Sequence, residues 1–526
     1  MSITSITFLL FVAILVVIYY IVPLKIRWIW LLIGSVFFYI SYDWKLSLWM
    51  MGIALLIYTA GLILQSFNDK YNLLLQEKKG AEKKALKKEA KRKKNMLSSV
   101  VVLILAMIWI GFKFGANVVN LYKDIMGESD LISVIIAPLG LSFLLLIAAS
   151  YIIDIKRGKI QAQRNFFKLL LWLIFFPQTI QGPIVRYADT SEQLYKGNKF
   201  EEKNIVFGIQ LALWGYFKKL LIANYANVIV TTIFSSRHLG LEYVFGIVLY
   251  ALQIYCDFSG GIDIICGVAQ MIGVKLPVNF KRPYFSRGID EYWRRWHVTL
   301  GAWFRDYIFL PLSISNIANK MGKITRKVFG TKLGNMIPTY CALIIVWSAN
   351  GVWHGAGMNY FIYGFYNGIL ITLGMQFGDK SVAFAENILK INRDTFSWKF
   401  FQMLRTFSLI CLGRILFKAA TFGDALTIYK DMFTHFNPWI FFDGSLYTYG
   451  LDTKQLHVLL YATIVLIVVS ILQELFQEKG YSLREVIAKQ NALFRYILCF
   501  GILIIILIFG MYGPGYNAGD FIYMKY

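Results

Sequence analysis

Residues 337–357 read IPTYCALIIVWSANGVWHGAG. An apolar run ends at Trp347, and a stretch with Asn350, His354 and three glycines follows it directly. Runs of this kind recur along the chain, at 7–21, 46–64, 97–114, 132–153, 243–256, 360–375, 456–472 and 494–511. Each spans or approaches the roughly 17–25 residues that an α-helix needs to cross a bilayer. Across all 526 residues, 57% are hydrophobic and only 16% charged, with a mean hydropathy of +0.56. Soluble domains carry about 25% charged residues, so this chain has too little polar surface to face water. The pattern predicts an all-α fold, a polytopic membrane bundle of about eleven or more spans, some tilted or broken by Gly and Pro. One integral membrane domain is expected over 1–526, with its unusual sequence concentrated in a core region at 170–375.

Charge sets the expected orientation. The first apolar segment has no positive residues before it and no small-residue cleavage site after it, so it reads as a retained span. Lys25 and Arg27 follow it. Basic loops stay cytoplasmic, which places the N-terminus outside and the turn after the first span inside. The stretch 69–94 holds eleven Lys and Arg against four acids, so the basic loop 66–97 is expected in the cytoplasm. Residues 154–168, with Lys156, Arg157, Lys159, Arg164 and Lys168, fall on the same side. The Ala-, Lys- and Glu-rich composition of 78–94 fits a cytoplasmic helix near anionic lipid better than a nucleic-acid arm. No nucleic-acid partner is expected, and the net charge of +24 reflects these loops.

The five cysteines, at 256, 266, 341, 411 and 499, lie in apolar sequence without CxxC spacing. They read as small buried hydrophobes. No HExxH, nucleophile elbow, phosphate loop or dinucleotide fingerprint occurs, so no metal and no bound cofactor is expected.

Ionisable and polar residues within membrane sequence are costly and mark function by default. Residues 176–184 read FPQTIQGPI, with Gln178 and Gln181 between two prolines. A regular helix cannot pass Pro183. The stretch is either irregular backbone at membrane depth, buried or lining a cavity, or a helix end at the interface. Residues 255–263 read YCDFSGGID, which suggests a helix break with a polar pocket. Structural pairing for Asp257 and a helix cap for Asp263 are the other readings. Residues 292–297, YWRRWH, follow NFKRPY at 279–284. Interleaved Trp and Arg favour the membrane interface, and Trp293, Arg294, Arg295 and Trp296 there are candidates to hold an anionic donor such as CoA. His297 is a candidate site residue or an interfacial hydrogen bonder. His354 has glycines on both sides that permit close backbone approach. Imidazole titrates near neutrality and can take a proton from a hydroxyl, so His354 is a general-base candidate, and equally a buried structural histidine on position alone. Asn350 and Trp353 flank it as binding candidates. His238, His435 and His457 show no ligand spacing.

The ordered set FPQTIQGPI, YCDFSGGIDI, NFKRPYFSRGIDEYWRRWHVTLGAWFRDYIFLPL and GVWHGAGMNYFIYG resembles the membrane-bound O-acyltransferase (MBOAT) superfamily. It is most similar to the bacterial branch that includes the alginate O-acetylation membrane protein and the teichoic-acid D-alanyl transfer protein. The stretch LGRILFKA at 412–419 and the length of the chain look more like the alginate type. The resemblance implies a helical bundle around a central tunnel in a bacterial plasma membrane, with His354 and His297 as the catalytic pair. It implies a thioester donor, acetyl-CoA, entering from the cytoplasm, and a polysaccharide hydroxyl as acceptor outside. His354 would be the general base and His297 would position or polarise the thioester. Trp293, Arg294, Arg295 and Trp296 would build the tunnel wall or donor mouth, with Asp257 supporting them. A hydrolase-like extracytoplasmic partner protein would complete the transfer. Ser348-Ala349-Asn350 departs from the more apolar stretch of relatives, so substrate identity is not carried over with it. D-alanyl transfer from a carrier protein to teichoic acid is the second enzyme reading. A transporter or flippase without acyl chemistry is the reading of another class.

Overall fold

The computed structural model describes residues 1–126, 140–179 and 181–513. The first part of the span expected at 132–153 lies outside them. Among the described residues there are helices and turns and no strands. Nine helices among the described residues are long and apolar enough to cross a membrane, and Ile6–Ile21 and Phe166–Gln178 are shorter apolar helices. The chain is a multi-pass, all-helical membrane protein. It divides into two compact units, Met1–Ala212 with Ile265–Pro277, and Leu213–Ile264 with Val278–Tyr526.

In the first unit, the N-terminal helix Ile6–Ile21 is tied down by Arg27. This side chain was expected in a cytoplasmic turn, yet it is buried and donates to the carbonyls of Val22, Tyr20 and Asn198. The basic loop expected at 66–97 is a helical hairpin. Trp44–Glu77 and Gly80–Met126 meet at a turn where Gly80 takes a positive φ of 57°. Tyr71 donates to Glu89 across the hairpin at 2.9 Å, and Glu89 also pairs with Lys93. The cations stand on the outer face of this pair.

The FPQTIQGPI stretch follows the Phe166–Ile174 helix. A short turn, Phe176–Thr179, leads into irregular chain from Gln181 to Arg186. Phe176, Gln178, Gln181 and Val185 are wholly buried, so this is irregular backbone enclosed by protein rather than a helix end at the interface. Gln178 donates through Nε2 to the Trp172 carbonyl. Gly182 permits the tight return, since a Cβ there would sit 2.4 Å from the Gln178 Cα.

The second unit corrects two expectations. The 255–263 stretch does not break a helix, because Leu241–Met271 runs through it without interruption. Its Gly260 instead meets the Glu202–Phe217 helix, where an added Cβ would lie 2.8 Å from the Gly215 carbonyl. Small residues that let backbones approach are the usual device of membrane helix packing. Asp263 does not cap a helix. It accepts from Lys218 Nζ at 2.7 Å, and Ser259 accepts from the same ammonium at 2.9 Å. Lys219 pairs with Asp257 at 2.5 Å, with both side chains buried. The two lysines open a π-helical turn, Lys218–Ala223, which continues into Asn224–Ser235. The span Glu202–Ser235 therefore carries two ammonium groups, each neutralised by the neighbouring helix.

Beyond residue 278 the unit contains the long helix Asn316–His354, with its non-helical residue at Gly330, and then Met358–Ala383, Phe396–Lys418 and Phe422–Thr434. Thr453–Glu478 and Ala492–Phe509 follow. Apolar side chains such as Ile497, Leu507 and Ile508 remain exposed on the last helix, as lipid-facing positions should.

Candidate functional site

His297 and His354 both belong to the second unit. His297 precedes the short helix Val298–Phe304 and takes a left-handed φ of 45°. A residue other than glycine holds that conformation only where its surroundings fix it. Here Asn279 supplies the fixing. Its carbonyl accepts from Val298 N at 3.0 Å. Its side-chain Oδ1 faces Thr299 N at 3.0 Å, Thr299 Oγ1 at 2.9 Å and His297 Nδ1 at 3.1 Å. An amide nitrogen can only donate, so the atom facing Thr299 N is the oxygen of Asn279 and not its NH2 group. The same oxygen faces His297 Nδ1, which must then carry the hydrogen. In neutral His297 the lone pair is therefore on Nε2. Burial among Phe258 (4.8 Å between ring centres) and Phe280 (6.5 Å) pushes the imidazolium pKa down to about 3. His297 is a neutral imidazole at physiological pH.

His354 is the last residue of the Asn316–His354 helix, and its side chain is buried. Its approach to the next helix depends on glycine. A Cβ on Gly351 would lie 2.1 Å from the Tyr360 carbonyl, and one on Gly364 would lie 2.2 Å from the Trp347 carbonyl. A Cβ on Gly355 would enter the Tyr360 ring. These contacts set the crossing of Asn316–His354 with Met358–Ala383. The His354 ring packs edge-on against Trp353 at 4.9 Å and Phe417 at 5.2 Å.

A wall of side chains runs from one histidine to the other. The Arg414 guanidinium lies 5.7 Å from the Phe417 ring and 4.5 Å from the Trp296 ring. Trp296 is 5.0 Å from Phe280, which neighbours His297. Arg414 is almost wholly buried and donates to the Tyr292 hydroxyl at 3.1 Å.

The other candidates distribute unevenly. Trp293 packs on Trp347 at 4.5 Å, and Trp296 and Trp353 join the wall. Asn350 is buried in the His354 helix. Arg294 is exposed and pairs with Asp290 one turn earlier. Arg295 turns to Glu291 and Glu474, and Asp257 to Lys219. Gln178 and Gln181 lie in the first unit. Among the described residues, no group of three or more His, Cys, Asp or Glu could hold a metal ion.

Four residues of this site were not singled out from sequence, namely Asn279, Arg414, Phe417 and Glu474. Arg414 had a usable signal, as a lone cation in the apolar stretch LGRILF. Glu474 acts through partners 179 and 192 residues away, and Asn279 through a loop closure 18–20 residues on, neither of which sequence displays.

Residues 101–330 match the family described as MBOAT, membrane-bound O-acyltransferase family. Through these residues the chain is similar to that family. Among its relatives is a protein named "Probable alginate O-acetylase AlgI" from Pseudomonas syringae pv. tomato, 30% identical over 334 residues, which are 62% of this chain and 58% of the relative. A "Peptidoglycan O-acetyltransferase" of Helicobacter pylori is 30% identical over 57% of each chain. A "Teichoic acid D-alanyltransferase" of Bacillus subtilis is 28% identical over 55% of this chain and 70% of its own. The chain spans less than two thirds of the length of the alginate relatives it matches, 58% in the P. syringae protein. The MBOAT match includes Asn279 and His297 and stops before His354.

Proposed function

We propose that this protein transfers an acetyl group from acetyl-CoA to a hydroxyl of an exported cell-surface polysaccharide, either directly or through a hydrolase-like extracytoplasmic partner. The observation that carries the reading is the fixed, neutral imidazole of His297 in the same unit as the buried His354, within a chain similar to the MBOAT family. Similarity to relatives named for O-acetylation favours acetyl as the group transferred.

In this reading the two histidines divide the work. His354 takes the proton of the acceptor hydroxyl. The oxygen attacks the thioester carbonyl carbon, the carbon–sulfur bond breaks, and His354 returns the proton to the departing thiolate, giving an ester and CoA. His297 cannot polarise the thioester carbonyl while neutral, because its one N–H is committed to Asn279. Its Nε2 lone pair instead accepts a hydrogen bond, which suits holding a neighbouring hydroxyl of the acceptor sugar and leaves the reacting hydroxyl's proton for His354. This changes the role that resemblance alone suggests for it. Trp293, Trp296 and Trp353 supply apolar surface that excludes water from the thioester. Asn350 would contact the acceptor, and the N-terminus would lie outside with the basic hairpin in the cytoplasm.

The test is the alkali-labile ester on the cell surface, compared between wild-type and His354→Ala cells. Loss of acetate supports the proposal. Loss of D-alanine would move the reading to the activity named for the B. subtilis relative. An unchanged ester complement with normally folded variant would refute acyl transfer through His354.

A further inference from the structure

The loop that carries His297 is closed by more than Asn279. Two backbone hydrogen bonds cross its neck, Val298 N to Asn279 O at 3.0 Å and Lys281 N to Arg295 O at 2.9 Å. They bracket Trp296 and His297. Two residues of this loop hold left-handed backbone without being glycine, Arg282 at φ 48° and His297 at φ 45°. Such residues relax unless something over-determines them. For His297 that is Asn279. For Arg282 it comes from a distant helix, because its Nε donates to Glu474 Oε2 at 2.5 Å and its NH2 to Gln477. The other carboxylate oxygen, Glu474 Oε1, accepts from Arg295 NH1 at 2.9 Å. All three side chains are mostly shielded from solvent. One carboxylate therefore reaches both strands of the neck, one residue beyond the rung on the first strand and at the rung itself on the second. Without its charge, Arg295 would keep Glu291, at 2.7 Å, while Arg282 would lose the carboxylate that holds it.

We propose that Glu474 is a positioning residue for His297, a carboxylate clamp that ties Arg282 to Arg295 across the neck of the 279–298 loop and so holds the imidazole in place. The clamp rests on the reading of His297 as a site residue, but its geometric consequence is measurable without the reaction. It also assigns work to Arg295 different from donor binding, since its guanidinium is occupied by Glu291 and Glu474.

The experiment uses the full chain in nanodiscs of neutral lipid. Glu474→Gln keeps the size and removes the charge, and Glu478→Gln, one turn along the same helix, is the control. Modification by diethyl pyrocarbonate is followed at His297 by peptide mass spectrometry, with the exposed His435 as internal reference. The clamp predicts that His297 labels about tenfold faster in Glu474→Gln, with His435 and the control variant unchanged. It also predicts kcat for acetyl transfer down about tenfold or more, with KM for acetyl-CoA within about twofold, because geometry rather than donor binding is lost. Should Glu474→Gln not fold, Arg282→Gln removes one arm and must give the same accelerated labelling. In folded protein, combining the two changes should add little to either. Wild-type labelling rates in Glu474→Gln, or in Arg282→Gln, overturn the clamp. Wild-type protein without acetyl transfer would defeat the proposed reaction, and the labelling comparison would still decide the clamp.

Discussion

Asp257 offers a sharp separation of a structural role from a substrate-binding one. Resemblance places it near the site, but the structure pairs it with Lys219 at 2.5 Å, both side chains under 5% exposed. At that distance the attraction is about 7 kcal/mol gross with an effective dielectric near 20. Desolvation of the two ions cancels most of it. Removing one partner is different, because the other charge stays buried, at a cost of about 3–5 kcal/mol. Lys218 offers no relief, since it is a second cation already bonded to Ser259 and Asp263. Asp257→Asn should therefore lower the thermal midpoint of purified protein by roughly 3–5 °C. The double change Asp257→Leu with Lys219→Met should recover most of that loss, since a well-packed apolar pair replaces both charges. The assay is a thermal melt in nanodiscs, alongside KM for acetyl-CoA on the folded fraction. If Asp257→Asn leaves the midpoint within about 1 °C of wild type and raises KM instead, the structural account is wrong and Asp257 contacts substrate.

Asn279→Ala removes the acceptor shared by three buried donors, Thr299 N, Thr299 Oγ1 and His297 Nδ1. It should cost on the order of 3–5 kcal/mol and lower acetyl transfer by about a hundredfold in the protein that folds. Wild-type activity in that variant would show that Asn279 does not set the tautomer. Because burial pushes the His297 pKa to about 3, well below the unfolded value of about 6.5, the unfolded chain binds the proton first. Stability from this group is complete above about pH 6.5 and falls as pH drops towards 3, by up to about 1.4 kcal/mol per unit. His297→Gln should flatten that part of the melting profile, and an unaltered acid slope would contradict it. Gly351→Ala would place a methyl 2.1 Å from the Tyr360 carbonyl. Overpacking of about 1–3 kcal/mol or more, one turn before His354, should abolish activity while Gly374→Ala, which meets open space, leaves it intact. Equal activity of the two variants would refute the close-packing argument.

Much of the architecture is legible in the sequence, because hydropathy reports directly what a bilayer demands. The helices built on 7–21, 46–64, 97–114, 456–472 and 494–511 follow from apolar runs alone. Two spans escape that reading, Glu202–Ser235 and Phe396–Lys418. The first is interrupted by Lys218 and Lys219, and the second carries Arg405 and Arg414. Their charges are admissible only because partners distant in sequence receive them, Asp257 and Asp263 for the lysines, and the Trp296 and Phe417 rings with the Tyr292 hydroxyl for Arg414. The converse holds at 360–375, an apolar run interrupted by Asn and Gly. That helix forms, but Met358–Ala383 falls short of the nine, and it buries Asn359 and Asn367 against backbone carbonyls. The glycines at 260 and 261 mislead for a related reason. Glycine breaks a helix in isolation, whereas in a membrane bundle it lets a second backbone come close.

The chemistry of the candidate site depends on similar long-range pairings. His297 and His354 are visible as histidines in apolar sequence, but their division of labour is not. It turns on one oxygen, Asn279 Oδ1, whose identity is fixed by Thr299 N. That assignment makes His297 Nδ1 a donor within the protein and leaves Nε2 to accept. A group whose pKa lies near 3 is a weak proton acceptor at neutral pH, but accepting a hydrogen bond requires only the lone pair. On the proposed reading, His297 Nε2 holds a neighbouring hydroxyl of the acceptor and His354 removes the proton of the reacting one.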